Sequence, residues 1–176
     1  MSLLRQVDAT LGPGKGREMK ENVFDVLMYL FENYFYHDDG PQPDRDSLES
    51  ELFEAGFTSA EIRKAFDWLD GLAESRVRPR LSVEGNRSIR IYADREAAKL
   101  DIDCRGLLLF LEQVGIVTAA SREVIIERVM ALADEEVDIE TLKWVVLMVL
   151  FNQPGQEEAY ACMETLLFDN PVQFLH

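Results

Sequence analysis

The sequence predicts a mainly α protein: a winged-helix-like N-terminal part, three helices plus a β-hairpin, packed on a C-terminal helical bundle. Three observations predict it. Residues 142–151 read LKWVVLMVLF, with Lys143 the only charge, and a helix apolar on nearly every face has to sit inside other elements. Several other stretches repeat apolar residues at helical spacing. One stretch, residues 80–92, alternates instead, around Gly85-Asn86, the pattern of two strands joined by a tight turn. The 176 residues are 47% apolar, enough for a self-sufficient core. The expected organisation is an extension over residues 1–18, a helix-turn-helix module over 19–93 and a helical bundle over 94–176, closely packed together.

Taken in order, residues 1–18 hold Gly12, Pro13, Gly14 and Gly16 without an apolar period. They read as a loosely attached extension, with the working chain starting at Met19. The glycines do not make a phosphate loop, which needs Gly-Lys followed by Ser or Thr, whereas Gly16 follows Lys15. Residues 22–36 place Val23, Phe24, Val26, Leu27, Leu30, Phe31 and Tyr34 on one wide helical stripe. A turn follows over 37–43. A short helix over 46–55 turns Leu48, Leu52 and Phe53 inward and ends at Gly56. Thr58 and Glu61 form a capping box for the next helix, to about residue 74, which buries Ile62, Ala65, Phe66, Leu69 and Leu72. In the hairpin, Leu81 and Val83 alternate with polar residues, as do Ile89 and Ile91. Beyond residue 94 a helix runs through a junction at 101–103 to Gly115. Another spans 121–133, with Val124, Ile125, Val129 and Leu132 buried. The apolar helix at 142–151 is preceded by Asp138 and Glu140 and stopped by Pro154 and Gly155. Trp144 and Leu147 are expected at its buried centre. A last helix from about 156 carries Tyr160, Met163 and Leu166. The apolar run at 142–151 is too short for a bilayer, which needs about 20 apolar residues.

Charge separates function classes. With 33 acidic and 18 basic residues the net charge is −15, which favours solubility and repels nucleic acid and anionic membranes. It is not evenly spread. Residues 19–75 and 101–176 are each net −10, whereas residues 76–100 carry seven basic and three acidic groups, net +4. The basic stretch from Arg76 to Lys99 is the one positive island. Its arginines Arg78, Arg80, Arg87 and Arg90 are the candidate partner-binding residues. Guanidinium forks suit carboxylate and phosphate alike, so they either engage a partner or fold back onto the chain's own acidic helices. The helix after the capping box offers Arg63 and Lys64 against Glu61, Asp67, Asp70 and Glu74. That is a poor face for DNA, where Lys and Arg contacts to phosphate dominate affinity.

Catalytic chemistry finds little support. The two histidines, His37 and His176, lie in a loop and at the terminus, and no Ser/His/Asp or Cys/His set is visible. Cys104 and Cys162 read as buried small apolar groups rather than nucleophiles or a disulfide framework. With no secretory signal, a reducing cytoplasm is the expected location. Asp38, Asp39, Asp44 and Asp46 lack the spacing of a calcium loop. Asp101 and Asp103, and the acidic run 134–140, suit helix N-termini. No cofactor or metal site is expected.

MKENVFDVLMYLFENY from Met19, AGF from Ala55, IRIY from Ile89, RGLLLFLEQ from Arg105, LKWVVLMVLFNQPG from Leu142 and the closing FLH resemble the bacterial Smg family, a group of unknown function. The likeness runs from about residue 19 to the end. Family members are often encoded beside a DNA-processing protein of natural transformation and a topoisomerase. The resemblance therefore implies, by association alone, a place near DNA metabolism. The expected function is a non-catalytic cytoplasmic interaction or adaptor protein with a protein partner, and no membrane partner. The alternative is a nucleic-acid-binding winged-helix protein that uses the basic hairpin, disfavoured by net charge.

Overall fold

The computed structural model describes residues 22–35, 43–77, 90–134 and 136–169. Among these the fold is mainly helical, with eight α-helices and one π-helical turn. The expected N-terminal extension lies outside the described residues. So does most of the expected hairpin. Its described end, residues 90–92, is not in a strand, and the β-pairing found among the described residues is one parallel bridge, Leu100 to Val137.

Helix α1, Val23–Leu30, starts where the Asn22 side chain accepts from the backbone of Phe24 and Asp25, and the Asp25 carboxylate accepts from Asn22 N–H. Satisfying the orphan donors of a first turn fixes its start. The helix runs on into a π-helical turn, Phe31–Phe35. Helix α2, Arg45–Glu54, is capped by Asp44. After it, Gly56 adopts φ 105°, a left-handed conformation open to glycine at little cost. Helix α3, Ser59–Val77, begins at the expected Thr58–Glu61 capping box, with Glu61 N–H donating to Thr58 Oγ1 at 3.3 Å and Thr58 N–H to Glu61 at 2.8 Å. Helices α2 and α3 make a helix-turn-helix, but Phe53 does not point inward. Leu52 is fully buried, and the 100° step between successive helical residues swings Phe53 onto the open face.

The stretch after residue 94 is two helices, not one helix through a junction. Helix α4, Asp94–Lys99, ends at Leu100, whose extended backbone forms the bridge to Val137. Helix α5, Ile102–Gln113, restarts with Asp101 accepting from Cys104 N–H at 2.8 Å. Helix α6, Ala119–Met130, is capped by Thr118, and helix α7, Ile139–Asn152, by Asp138. Helix α8, Glu157–Asp169, packs on α7.

Helix α7 is the centre expected from its sequence. Leu142 and all residues from Val145 to Leu150 are buried. Trp144 is not: it is half-buried, and Phe151, seven residues on along the same stripe, is 44% exposed. Both rings meet Phe31 edge-on, at centroid distances of 6.0 and 5.7 Å, at the rim of the core. Lys143 tucks its stem in and donates to Glu140 at 2.7 Å.

One hydrophobic core runs from Val23 in α1 to Met163 in α8. Polar clasps cross it. Trp68 Nε1 on α3 donates to the Arg128 carbonyl on α6 at 2.8 Å, and Arg128 Nη1 donates back to the Trp68 carbonyl at 3.1 Å. Gly71, one turn on from Trp68, makes room for that guanidinium, since a Cβ there would run into it. Asn152 at the end of α7 donates to the Leu72 carbonyl at 3.0 Å. No helix among the described residues is long and apolar enough to cross a membrane.

Candidate functional site

Of the four candidate arginines, Arg78, Arg80 and Arg87 lie outside the described residues. Arg90 is described, and its guanidinium is fully engaged. Nε and Nη2 donate to the two Glu123 oxygens at 2.8 and 3.0 Å, while Nη1 and Nη2 donate to the two Glu96 oxygens at 2.8 and 2.9 Å. Two bidentate carboxylates thus occupy both edges of one fork, the geometry that suits arginine and not lysine. The same guanidinium lies 4.7 Å from the Tyr92 ring centroid, and Arg105 approaches that ring at 5.8 Å. The Arg90 side chain is 16% exposed.

Three helices build this cluster. Glu96 lies in the first turn of α4, where it also accepts from Ala93 N–H at 2.9 Å. Glu123 comes from α6. Arg122 donates from α6 both to Glu123 at 3.1 Å and to Glu112 near the end of α5. The electrostatics follow from the contacts. The Arg90 hydrogen bonds hold the Glu96 carboxyl down at about 2, and the two carboxylates raise Arg90 above its ordinary value. Burial works to raise the Glu123 pKa, but its bonds to Arg90 and then Arg122 outweigh this and leave it lowered. Chemically this is an anchor. It ties Arg90, inside the basic stretch, to α4 and α6.

Other members of the basic island divide in the same way. Lys99 is buried, donating to the Leu132 carbonyl at 2.6 Å, and burial lowers its pKa against the opposing pull of Asp134. Arg76 and Arg95 are exposed. On the helix-turn-helix, Arg63, Lys64, Asp67, Asp70 and Glu74 are exposed and Glu61 is half-buried. Residues 43–77 hold nine acidic against four basic groups, so this face repels phosphate.

The cysteines differ from each other. Cys104 is buried as expected, donating to the Val137 carbonyl at 3.4 Å, and burial pushes its thiol up to about 12. Such a thiol is not a nucleophile at neutral pH. Cys162 was expected inside and is exposed, on the outer side of α8. Asp101 caps α5 as expected. Among the described residues no group of three or more His, Cys, Asp or Glu is placed to hold a metal ion. Sequence reasoning did not find Glu96 and Glu123 as partners of Arg90. Glu96, six residues on at a helix start, offered a local signal. Glu123, 33 residues away, offered none.

Fold and charge define an acidic, mainly helical protein in which Arg90 of the basic stretch is bound to α4 and α6. Residues 23–176 match the family described as "Protein of unknown function (DUF494)". The chain is 66% identical over 158 residues to the "Protein Smg homolog" of Alkalilimnicola ehrlichii, and 61% identical over 158 residues to that of Halorhodospira halophila. Each alignment covers 90% of this chain and all of the relative. The Xanthomonas campestris homolog is 58% identical over 161 residues. The chain therefore belongs to the bacterial Smg family, whose function is uncharacterised. No solved structure matches it.

Proposed function

We propose that this protein is a non-catalytic cytoplasmic adaptor that binds an acidic surface of a protein partner through its basic stretch. The observation that supports this is the Arg90 anchor. Within a net +4 stretch on a net −15 molecule, Arg90 is bound to both α4 and α6, which ties the stretch to the helical body at that point. Arg90 serves the fold, so of the four candidate arginines the proposal rests on Arg78, Arg80 and Arg87. Complementary charge of this kind governs encounter rate and specificity. The family's association with DNA-processing and topoisomerase genes suggests where such a partner acts.

The alternative is a winged-helix protein that binds nucleic acid through the same stretch. The α2–α3 helix-turn-helix favours it; the acidic exposed face of α3 opposes it. The test is affinity purification from the native host at mild salt, comparing wild type with the Arg78→Glu, Arg80→Glu, Arg87→Glu triple variant. A protein partner retained by wild type and lost by a folded triple variant supports the proposal. Salt-dependent shift of DNA or RNA by purified wild type, abolished in the triple variant, supports the alternative. Equal partner recovery by both forms removes the basic stretch as the binding surface.

A further inference from the structure

Helix α7 carries an aromatic stripe that stops short of full burial. Trp144 is half-buried, and Phe151, two turns on, is 44% exposed. Phe31 of the π-helical turn meets both rings edge-on, and Tyr160 of α8 meets Phe151 at a centroid distance of 5.6 Å. Four rings from three elements thus border one apolar strip. Its outer part keeps aromatic area in water, which a further apolar side chain would remove at a gain in free energy.

The chain itself delivers apolar residues to this place. Helices α7 and α8 pack together and are joined by the four residues 153–156, so they run antiparallel. The Phe151–Tyr160 contact sets their register. Trp144, seven residues back along α7, lies level with residue 167, seven residues on along α8. Helix α8 ends at Asp169, close to that level. Seven residues follow it in the sequence, NPVQFLH. Pro171 lacks the N–H that a further helical turn would need. Val172, Phe174 and Leu175 are apolar, and none of the seven is acidic, on a molecule of net charge −15. The family match includes them. Five residues separate Phe174 from Asp169, a reach of up to about 17 Å, and the strip from Trp144 to Phe151 is about 10 Å long. We propose that residues 170–176 fold back over this strip, with Phe174 and Leu175 packed against Trp144 and Phe151. Residues 170–175 carry no charged side chain, so the strip takes them without burying an unpaired charge. Any outside protein competes with a segment held by a short tether, at an effective concentration of about millimolar.

This inference stands apart from the basic stretch and the adaptor role. The chain has two tryptophans, Trp68 and Trp144, which makes its test specific. Trp68 is buried and donates to α6, so it reports on the core. The full chain is labelled with fluorotryptophan, and its two fluorine NMR resonances are assigned with Trp144→Phe. Phe174→Ala with Leu175→Ala, in the full chain, is expected to shift the Trp144 resonance toward that of a solvent-exposed indole and to leave the Trp68 resonance in place. A synthetic peptide of residues 170–176, added to the double variant at about the millimolar concentration of a short tether, is expected to return the Trp144 resonance toward its wild-type position. In wild type that position should not depend on protein concentration. A Trp144 resonance unmoved by the double substitution overturns the proposal and leaves the strip to a partner protein. A shift that the peptide does not reverse overturns it too. A wild-type Trp144 resonance that moves on dilution would show a second copy over the strip, and this also overturns the proposal.

Discussion

Helix α7 and the segment from Arg90 to Glu96 are both held firmly, by opposite means. Helix α7 is fixed by burying apolar residues on nearly every side, with no charge needed beyond Lys143 at its rim. The 90–96 segment buries little and is fixed by one guanidinium between two carboxylates. Apolar burial is non-directional and does not titrate. A charge-assisted fork is directional, needs all three partners, and weakens as its carboxylates protonate. Helix α7 therefore answers to side-chain volume and the 90–96 segment to pH.

The largest expected effect is in α7. Leu147→Ala should cost about 2–5 kcal/mol, from lost transfer energy plus the cavity left behind, by urea unfolding. That loss should be the same at pH 7 and pH 4. A loss below 1 kcal/mol would break the contrast from the apolar side. Next is Gly71→Ala, where an added methyl meets the Arg128 guanidinium. Overpacking of this sort costs about 1–3 kcal/mol, and a variant as stable as wild type would show that Arg128 moves aside freely.

Glu96→Gln sharpens the ionic side. A hydrogen bond to a charged group contributes about 1.5–3 kcal/mol, so a loss in that range is expected at neutral pH. Glu96 has its pKa lowered from 4.5 to about 2. Its stabilisation is therefore complete above about 4.5 and lost as pH falls toward about 2. The variant should show a flatter acid limb and converge on wild type near pH 2. An unchanged acid limb would mean that Glu96 does not carry the acid sensitivity.

The two regions were unequally legible in the sequence, for the same physical reason. Ten consecutive residues of LKWVVLMVLF declare burial locally, and the caps at Thr58–Glu61, Asp101 and Asp138 depend on spacings of three residues, so both could be read. The rim positions of Trp144 and Phe151 could not, because they depend on where Phe31 and Tyr160 arrive from other helices. The spacing turned Phe53 inward beside Leu52, and this was wrong, because Leu52 takes the inner position and the next helical residue swings about 100° away from it. Ion pairs across the fold leave no trace in spacing. Arg90 looked like any other arginine of the basic stretch, and no spacing links Arg128 to Trp68 and Gly71, 60 residues away at Trp68.

Arg90 is held by Glu96 and Glu123, whereas Arg78, Arg80 and Arg87 are the proposed partner-binding residues. Charge alone puts Arg87 and Arg90 in one class, but the two bidentate carboxylates on Arg90 give that residue a structural role. The most direct measurement is the urea unfolding free energy of Arg90→Glu set beside that of Arg87→Glu, at neutral pH and moderate salt. Arg90→Glu removes the shared partner of two carboxylates and adds a third, so a loss of about 3 kcal/mol is expected. Arg87→Glu, at a residue proposed to serve a partner and not the fold, should stay within about 0.5 kcal/mol of wild type. Equal stabilities for the two variants would contradict the account.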